Sequence, residues 1–325
     1  MIGFSHGAAT SVGRVRRINE DSFLVAPPIF AVADGMGGHG SGDLASTVAV
    51  QVLARYAGLR PLFTEAVLAA LEEANRAIIE QEVPTRMGTT VTGLAGLETA
   101  GGDHLMVFNV GDSRVYRLDA DGLEQLTVDH SEVQELVLAG VITREQARTH
   151  PRRNIVTRAL GSEPALLADH WLLPAVGGDR FLICSDGLFT ELPDEVIVPL
   201  LSMGAPQQAA QALILAANDA GGRDNITAIV VDIESDNDDA DEATMPREAL
   251  RDRRAAGRGA KAAKGSSGPG TAPGPGSSAP GPGPNAPGPG PSAPEPGPSV
   301  SGSPGPPADV GLIGLGLLAP DYGHG

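Results

Sequence analysis

Cysteine is almost missing from this 325-residue chain, with Cys184 the one thiol. An intrachain disulfide is therefore excluded, and the composition suits a reducing compartment such as the cytoplasm. Cys184 closes the apolar run Arg180-Phe181-Leu182-Ile183-Cys184, so it is expected to be buried and inert. Long hydrophobic runs are absent too. No stretch reaches the roughly 18 apolar residues of a membrane-crossing helix. Gly311 to Pro320 is apolar but short and glycine-rich. No sustained apolar stretch follows the N-terminus, so no signal peptide is expected. Excess positive charge is lacking as well. A formal net charge of −17 argues against non-specific nucleic-acid binding.

What is present divides the chain in two. Residues 1–234 have the composition of a globular domain, long enough for one sizeable core. Residues 235–325 are nearly devoid of apolar side chains until their end. An acidic run from Asp232 to Glu242 is followed by a basic block, Arg247 to Lys264, and then by a Gly/Pro/Ser/Ala tract to about Pro307. Such a tract cannot bury enough surface to fold, and it lacks the Gly-X-Y period of collagen. The segment reads as a disordered, solvated tail. The alternative is a tether whose basic block docks on an acidic partner or on the chain's own acidic run.

Within the first part, apolar alternation marks strands at Ser22 to Val25, Ile29 to Ala33, His104 to Val110, Val115 to Leu118, Ile155 to Arg158, Ala168 to Leu173, Arg180 to Cys184 and Ile226 to Ile233. Residues 1–12 suit an edge strand, and Gly88 to Leu94 opens a β-rich region of consecutive antiparallel strands. Helical spacing runs over Gly42 to Tyr56, and Pro61, Pro193 and Pro206 each mark the start of a further helix. Two short helical patterns, Glu132 to Leu138 and Arg144 to Thr149, lie in a polar segment rich in Arg and His. That segment reads as a flap over a cleft.

Four acids stand where apolar strands end or begin: Asp34, Asp112, Asp186 and Asp224. Asp34 is followed by Gly35-Met36-Gly37-Gly38-His39-Gly40, where missing Cβ atoms let backbone carbonyls approach an ion. Taken alone, Asp34-Gly35 is equally an ordinary hairpin turn. Four such sites suggest one acidic cluster, which would repel itself without cations. All-oxygen ligands without Cys or paired His favour Mg²⁺ or Mn²⁺ over Zn²⁺. The block Arg14-Val15-Arg16-Arg17-Ile18-Asn19-Glu20-Asp21 adds an arginine for phosphate and carboxylates for an ion's outer shell, unless it is only a charged surface loop.

Arg16-Arg17-Ile18-Asn19-Glu20-Asp21, Ala33-Asp34-Gly35-Met36-Gly37-Gly38-His39, Gly88-Thr89-Thr90, Asn109-Val110-Gly111-Asp112-Ser113-Arg114, Leu126-Thr127-Val128-Asp129-His130-Ser131, Ser185-Asp186-Gly187 and Asp224-Asn225-Ile226-Thr227 occur in this order. Together, over roughly residues 5 to 233, they resemble the metal-dependent protein phosphatases of type 2C in their bacterial form. The resemblance implies an α+β fold, a four-layer αββα sandwich of two antiparallel sheets flanked by helices. It implies hydrolysis of phosphoserine and phosphothreonine by a metal-activated water at a binuclear Mn²⁺ or Mg²⁺ centre.

By the same resemblance Asp34 bridges the ions and Gly35 lends its carbonyl oxygen. Asp186 and Asp224 complete the coordination shell of the second ion, and Asp112 with Asp186 holds a third ion. Glu20 and Asp21 act through water, Asn225 orients a ligand, and Arg16 grips the phosphate. Phosphorylated proteins, in particular Ser/Thr protein kinases and their substrates, are the implied partners of a cytoplasmic monomer. Eukaryotic relatives carry a His after the Asp-Gly, proposed as general acid. Met36 stands there here, which leaves the proton donor open, and His39 is as readily a cap for the next helix. The rival reading is an idle phosphatase-like binding module, but such modules lose metal acids and this chain keeps them all.

Overall fold

The computed structural model describes residues 2–37, 41–82, 87–99 and 102–234. The expected roles of His39 and of the 235–325 tail lie outside the described residues. Among the described residues, eleven strands and seven helices follow one another as β1 (Gly3–Ser11), β2 (Asp21–Ala26), β3 (Ile29–Gly37), α1 (Gly42–Tyr56), α2 (Thr64–Ile79), β4 (Met87–Thr89), β5 (Val91–Thr99), β6 (Gly102–Val110), β7 (Arg114–Asp119), β8 (Gly122–Gln125), α3 (Glu132–Leu138), α4 (Arg144–Arg148), β9 (Asp169–Pro174), β10 (Arg180–Cys184), α5 (Asp186–Phe189), α6 (Asp194–Leu201), α7 (Pro206–Ala220) and β11 (Ile226–Glu234).

Two antiparallel sheets stack. One has the order β1-β11-β10-β7-β8, the other β2-β3-β5-β6-β9, with β4 paired to the far end of β3. Strand alternation assigns each side chain to a layer. Phe30 and Val32 of β3 meet Phe181 and Ile183 of β10 and Ile229 and Val231 of β11 between the sheets. The intervening Ala31 and Ala33 face α1 and α2, whose Ala45, Ala49, Leu53, Leu71 and Ile78 close that side. Leu182, Cys184 and Val230 face α6 and α7 on the other. The four layers are therefore helix, sheet, sheet, helix. No helix among the described residues is long and apolar enough to cross a membrane.

Three local expectations are corrected. Pro61 does not open α2, which starts at Thr64 with Phe63 at its N-cap. Instead Leu62 packs into the core, and residues 61–63 lead into the helix. Residues 155–158 form no strand. Val156 makes a single bridge to Ser131, and Arg158 turns to Asp169 instead of joining a ladder. The run of consecutive antiparallel strands expected from Gly88 onward is broken at residues 111–113, since β6 and β7 belong to different sheets and the turn there carries the chain across the sandwich.

Candidate metal centre

The layer between the sheets is apolar along its middle and becomes polar at one end. The same alternation that buries Phe30 and Val32 puts Asp34 on the inner face, two residues further along β3. It does the same for Asp21, directly opposite Asp34 in the β2–β3 register, and for Thr10 and Thr227, opposite each other on β1 and β11. Asp186 caps the same end of β10 as the first residue of α5, and Asp224 precedes β11. Asp112 occupies the turn between β6 and β7 and is buried.

The strand-end acids are held through their backbones. Thr90 Oγ1 accepts the Asp34 N–H at 3.0 Å, the Thr90 N–H donates to the Asp34 carbonyl at 2.9 Å, and the Thr89 hydroxyl donates to that carbonyl at 2.9 Å. Gly35 donates to the Glu20 carbonyl at 3.1 Å, and Glu20 Oε1 accepts the Gly42 N–H at 3.2 Å. A Cβ on Gly35 would lie 2.2 Å from the Gly42 carbonyl oxygen, so only glycine lets the backbone of β3 touch the start of α1. Gly111 has φ +117°, and a Cβ there would press on Thr90, so the Asp112 turn also needs its glycine.

Asp21 is buried, and one of its oxygens accepts hydroxyls from Ser185 at 2.8 Å and Thr227 at 2.7 Å. Its other oxygen, Oδ1, is buried without a protein partner. Asn225 is a staple: its Oδ1 accepts the Glu20 N–H at 2.9 Å, and its Nδ2 donates to the Val12 and Ile18 carbonyls at 3.0 Å each. Arg16 is exposed and donates to Asp224 Oδ2 at 2.7 Å.

The acids share one electrostatic problem. Burial first, and then the charges on Asp21, Asp186, Asp112 and Asp224, push the Asp34 carboxyl well above the usual range. Burial also raises Asp21, Asp112 and Asp186. For Asp112 the next cause is Asp186, for Asp186 it is Asp224, and a hydrogen bond to Asp34 pulls Asp186 the other way. Carboxylates so crowded remain ionised only beside positive charge. Among the described residues no three Asp, Glu, His or Cys side chains close round a single point as a finished cage. The donor set still fits a hard cation. It is all oxygen, and it includes the orphaned Asp21 Oδ1.

Alternation and motif thus bring together Asp21, Asp34, Asp112, Asp186 and Asp224, with Glu20, Gly35 and Asn225 braced beside them and Arg16 at the rim. The hydroxyl set of Thr89, Thr90, Ser113, Ser185 and Thr227 enters the sequence only inside those motifs, with no role of its own attached. Its signal is positional, because several of these are inner-face residues at the same strand ends. Arg114 was legible only as part of a motif. It forks onto Asp129 at 2.6–3.1 Å and lies 3.6 Å over the Phe189 ring, tying β7 to the helix that Asp186 begins.

The protein phosphatase 2C family profile matches residues 14–216. The serine/threonine phosphatase stp of Listeria innocua is 38% identical over 239 residues, covering 69% of this chain and 93% of that protein. The crystal structure of the PPM Ser-Thr phosphatase MsPP from Mycobacterium smegmatis, in complex with cacodylate, superposes with a TM-score of 0.65 at 42% identity, over 70% of this chain and 97% of that one. The catalytic domain of the serine/threonine protein phosphatase PstP, solved with two manganese ions, superposes with a TM-score of 0.66 at 36% identity, over 72% of this chain and all of that one. The chain belongs to the protein phosphatase 2C family and is a serine/threonine protein phosphatase of that type.

Proposed function

We propose that the chain hydrolyses phosphoserine and phosphothreonine in proteins at a pair of Mn²⁺ or Mg²⁺ ions. In this reading Asp34, Asp186, Asp224 and the Gly35 carbonyl hold the pair, and Asp112 with Asp186 takes a third ion. The observation that carries it is the self-repelling set of buried or half-buried carboxylates at one end of the sandwich. Bound ions would supply a strong nucleophile at neutral pH and screen the phosphoryl oxygens.

The chain's own residues have separate tasks. Thr89 and Thr90 fix the backbone of Asp34, so its carboxylate is aimed before any ion arrives. Ser185 and Thr227 bind one oxygen of Asp21 and leave the other for water or an ion. Asn225 fixes Glu20 relative to Asp224. Arg16 grips the phosphate. Its pair with Asp224 is exposed and so is worth about 1 kcal/mol or less. A phosphate offering two oxygens to the guanidinium fork competes well with such a pair.

The physiological role that fits this chemistry is opposition to Ser/Thr protein kinases, by a cytoplasmic, monomeric enzyme with its catalytic domain in residues 1–234 and residues 235–325 as an appended tail. The test is phosphate release from a phosphothreonine peptide by wild type and Asp34→Ala across Mn²⁺ concentration, alongside calorimetric titration with Mn²⁺. Mn²⁺-dependent turnover and tight Mn²⁺ binding are expected for wild type, and neither for the variant. Turnover that survives excess chelator would overturn the metal reading.

A further inference from the structure

Residues 12–18, beside the centre, are pinned, and yet Val15, Arg17 and Ile18 stand exposed on them. Asn225 Nδ2 binds the carbonyls of Val12 and Ile18, so both ends of the loop are tied to one side chain. The Arg14 N–H donates to the Gly222 carbonyl at 2.7 Å. A Cβ on Gly13 would lie 2.2 Å from the Asp224 carbonyl oxygen, so the loop sits directly on the strand that follows Asp224. Its three cations differ sharply. Arg14 is paired with Asp219 and Arg16 with Asp224. Arg17 is exposed and, among the described residues, takes no hydrogen bond or ion pair. Val15 and Ile18 are 66% and 53% exposed.

Single exposed apolar residues need no explanation. Two of them bracketing an unpaired arginine, on a loop fixed at both ends, form a different kind of surface. Such a surface loses little backbone entropy on binding, so even modest contacts register as affinity. Arg17 stands next in the chain to Arg16, the phosphate-gripping residue of the proposed mechanism, so whatever Arg17 meets lies close to the phosphorylated side chain. Charge complementarity then selects the occupant.

We infer that the 12–18 loop is a docking rim for phosphoprotein segments that carry acidic residues beside the phosphorylated one. Arg17 reads the acid, and Val15 and Ile18 cover the aliphatic part of the bound strand. The inference rests on the phosphatase reading above and adds a preference within it.

The experiment compares kcat/KM for two phosphothreonine peptides, one flanked on both sides by Glu and one by Lys, at low salt with Mn²⁺. The proteins are the full chain, Arg17→Ala, Arg17→Glu and Arg55→Glu. The last matches the charge change of Arg17→Glu but lies in the final turn of α1, about 20 Å along the helix from Gly42. The readout is the Glu-to-Lys ratio within each protein, so a general loss of activity cancels.

The ratio should fall about three- to fivefold in Arg17→Ala, the effect of one exposed ion pair, and further in Arg17→Glu. It should not move in Arg55→Glu, and the difference between wild type and Arg17→Ala should shrink at high salt. Turnover with an unchanged ratio in Arg17→Glu would overturn the docking rim alone, as would an equal shift in Arg55→Glu. No turnover of either peptide or of p-nitrophenyl phosphate by any of the proteins would overturn the phosphatase reading, and the rim with it.

Discussion

Gly42→Ala separates the demands of the fold from those of the centre. Gly42 is the first residue of α1, where alanine is ordinarily the better helix former by up to about 1 kcal/mol. Propensity alone therefore expects a small gain in stability. The structure opposes it. A Cβ at Gly42 would stand 2.7 Å from the Gly35 carbonyl carbon, 2.9 Å from its oxygen and 2.8 Å from Glu20 Oε1. Ordinary contacts of this kind lie near 3.5–4.0 Å, so a displacement of about 1 Å is required. The Glu20 side chain can swing away. Gly35 cannot easily do so, because its own N–H is bound to the Glu20 carbonyl and the adjoining Asp34 is held by Thr89 and Thr90. The strain should cost about 1–3 kcal/mol, partly offset by helix propensity. That is a fall in Tm of a few degrees for a domain of this size. Activity should suffer far more, because misplacing a reacting group by about 1 Å can cost on the order of a hundredfold. Gly58→Ala is the control. Nothing lies within 4 Å of the Cβ it would add, so it should be neutral or slightly stabilising. The assay is phosphate release from a phosphothreonine peptide against Mn²⁺ concentration, with Tm from scanning calorimetry. Wild-type kcat/KM and a wild-type Mn²⁺ midpoint in Gly42→Ala would refute the claim that the Gly35–Gly42 contact sets the site.

Other expectations follow from groups away from the acids. Arg180 is fully buried, forks onto Asp232 at 2.5–2.6 Å, and donates to the carbonyls of Leu201, Met203 and Gly204 at the end of α6. Arg180→Met should lower stability by about 3 kcal/mol in urea denaturation, close to the cost of breaking a buried ion pair. Cys184 is buried and its thiol is pushed well up by that burial, so thiol reagents should neither label the folded chain nor inhibit it; labelling is read by mass spectrometry before and after denaturation. His130 accepts the Gly111 N–H on Nδ1 at 3.1 Å, so its proton sits on Nε2, 3.2 Å from Asp169 Oδ2. Burial holds its pKa below the ordinary 6.5, so the unfolded chain takes up this proton first as pH falls. Stability contributed by neutral His130 is complete above pH 6.5 and is lost as pH drops from there through the folded pKa. His130→Gln should flatten that acid-side loss in Tm measured from pH 7 to 5, and an unchanged slope would exclude His130 as its source.

Much of this was legible because two periodicities and one chemical type carry it. The α1 boundaries, the β10 boundaries and the Pro193 and Pro206 helix starts follow from apolar spacing and proline alone. The failures have a common physical cause. Pro61 is a good first-turn residue, but burial of Leu62 decided the backbone there. Ile155 to Arg158 has strand-like composition, but Arg158 and the bridge at Val156 are committed to the His130–Asp169 node. In each case a tertiary contact outweighed a local preference worth less than about 1 kcal/mol. The β6–β7 turn misled for a related reason: no local signal distinguishes a turn within a sheet from one that crosses between two.

The centre itself was legible as a set of acids but not as a place. Its location follows from a single property of the sandwich. Two sheets that pack face to face need apolar side chains on alternate residues only where both sheets are present. At the open end the same phase continues with no opposing apolar layer, so inner positions there can be polar at little cost. That is where Asp34, Thr92, Asn109 and Thr227 fall, each in phase with buried apolar residues on its own strand, with Ser185 one step past β10 in the same phase and Thr10 and Asp21 in phase with the partly buried Ala8 and Phe23. A hydroxyl or carboxylate in phase with a buried apolar run therefore marks the site end of a strand. The test of the idea lies in the hydroxyls rather than the acids. Thr90→Val keeps shape and phase but removes the acceptor of the Asp34 N–H and the partner of the Ser113 hydroxyl. It should cost about 1–3 kcal/mol for the unpaired buried donor. It should also loosen Mn²⁺ binding, because the backbone that aims Asp34 has lost a support. Calorimetric Mn²⁺ affinity equal to wild type in a destabilised Thr90→Val would show that these hydroxyls serve the fold alone, and that their phase with the core marks polarity without marking function.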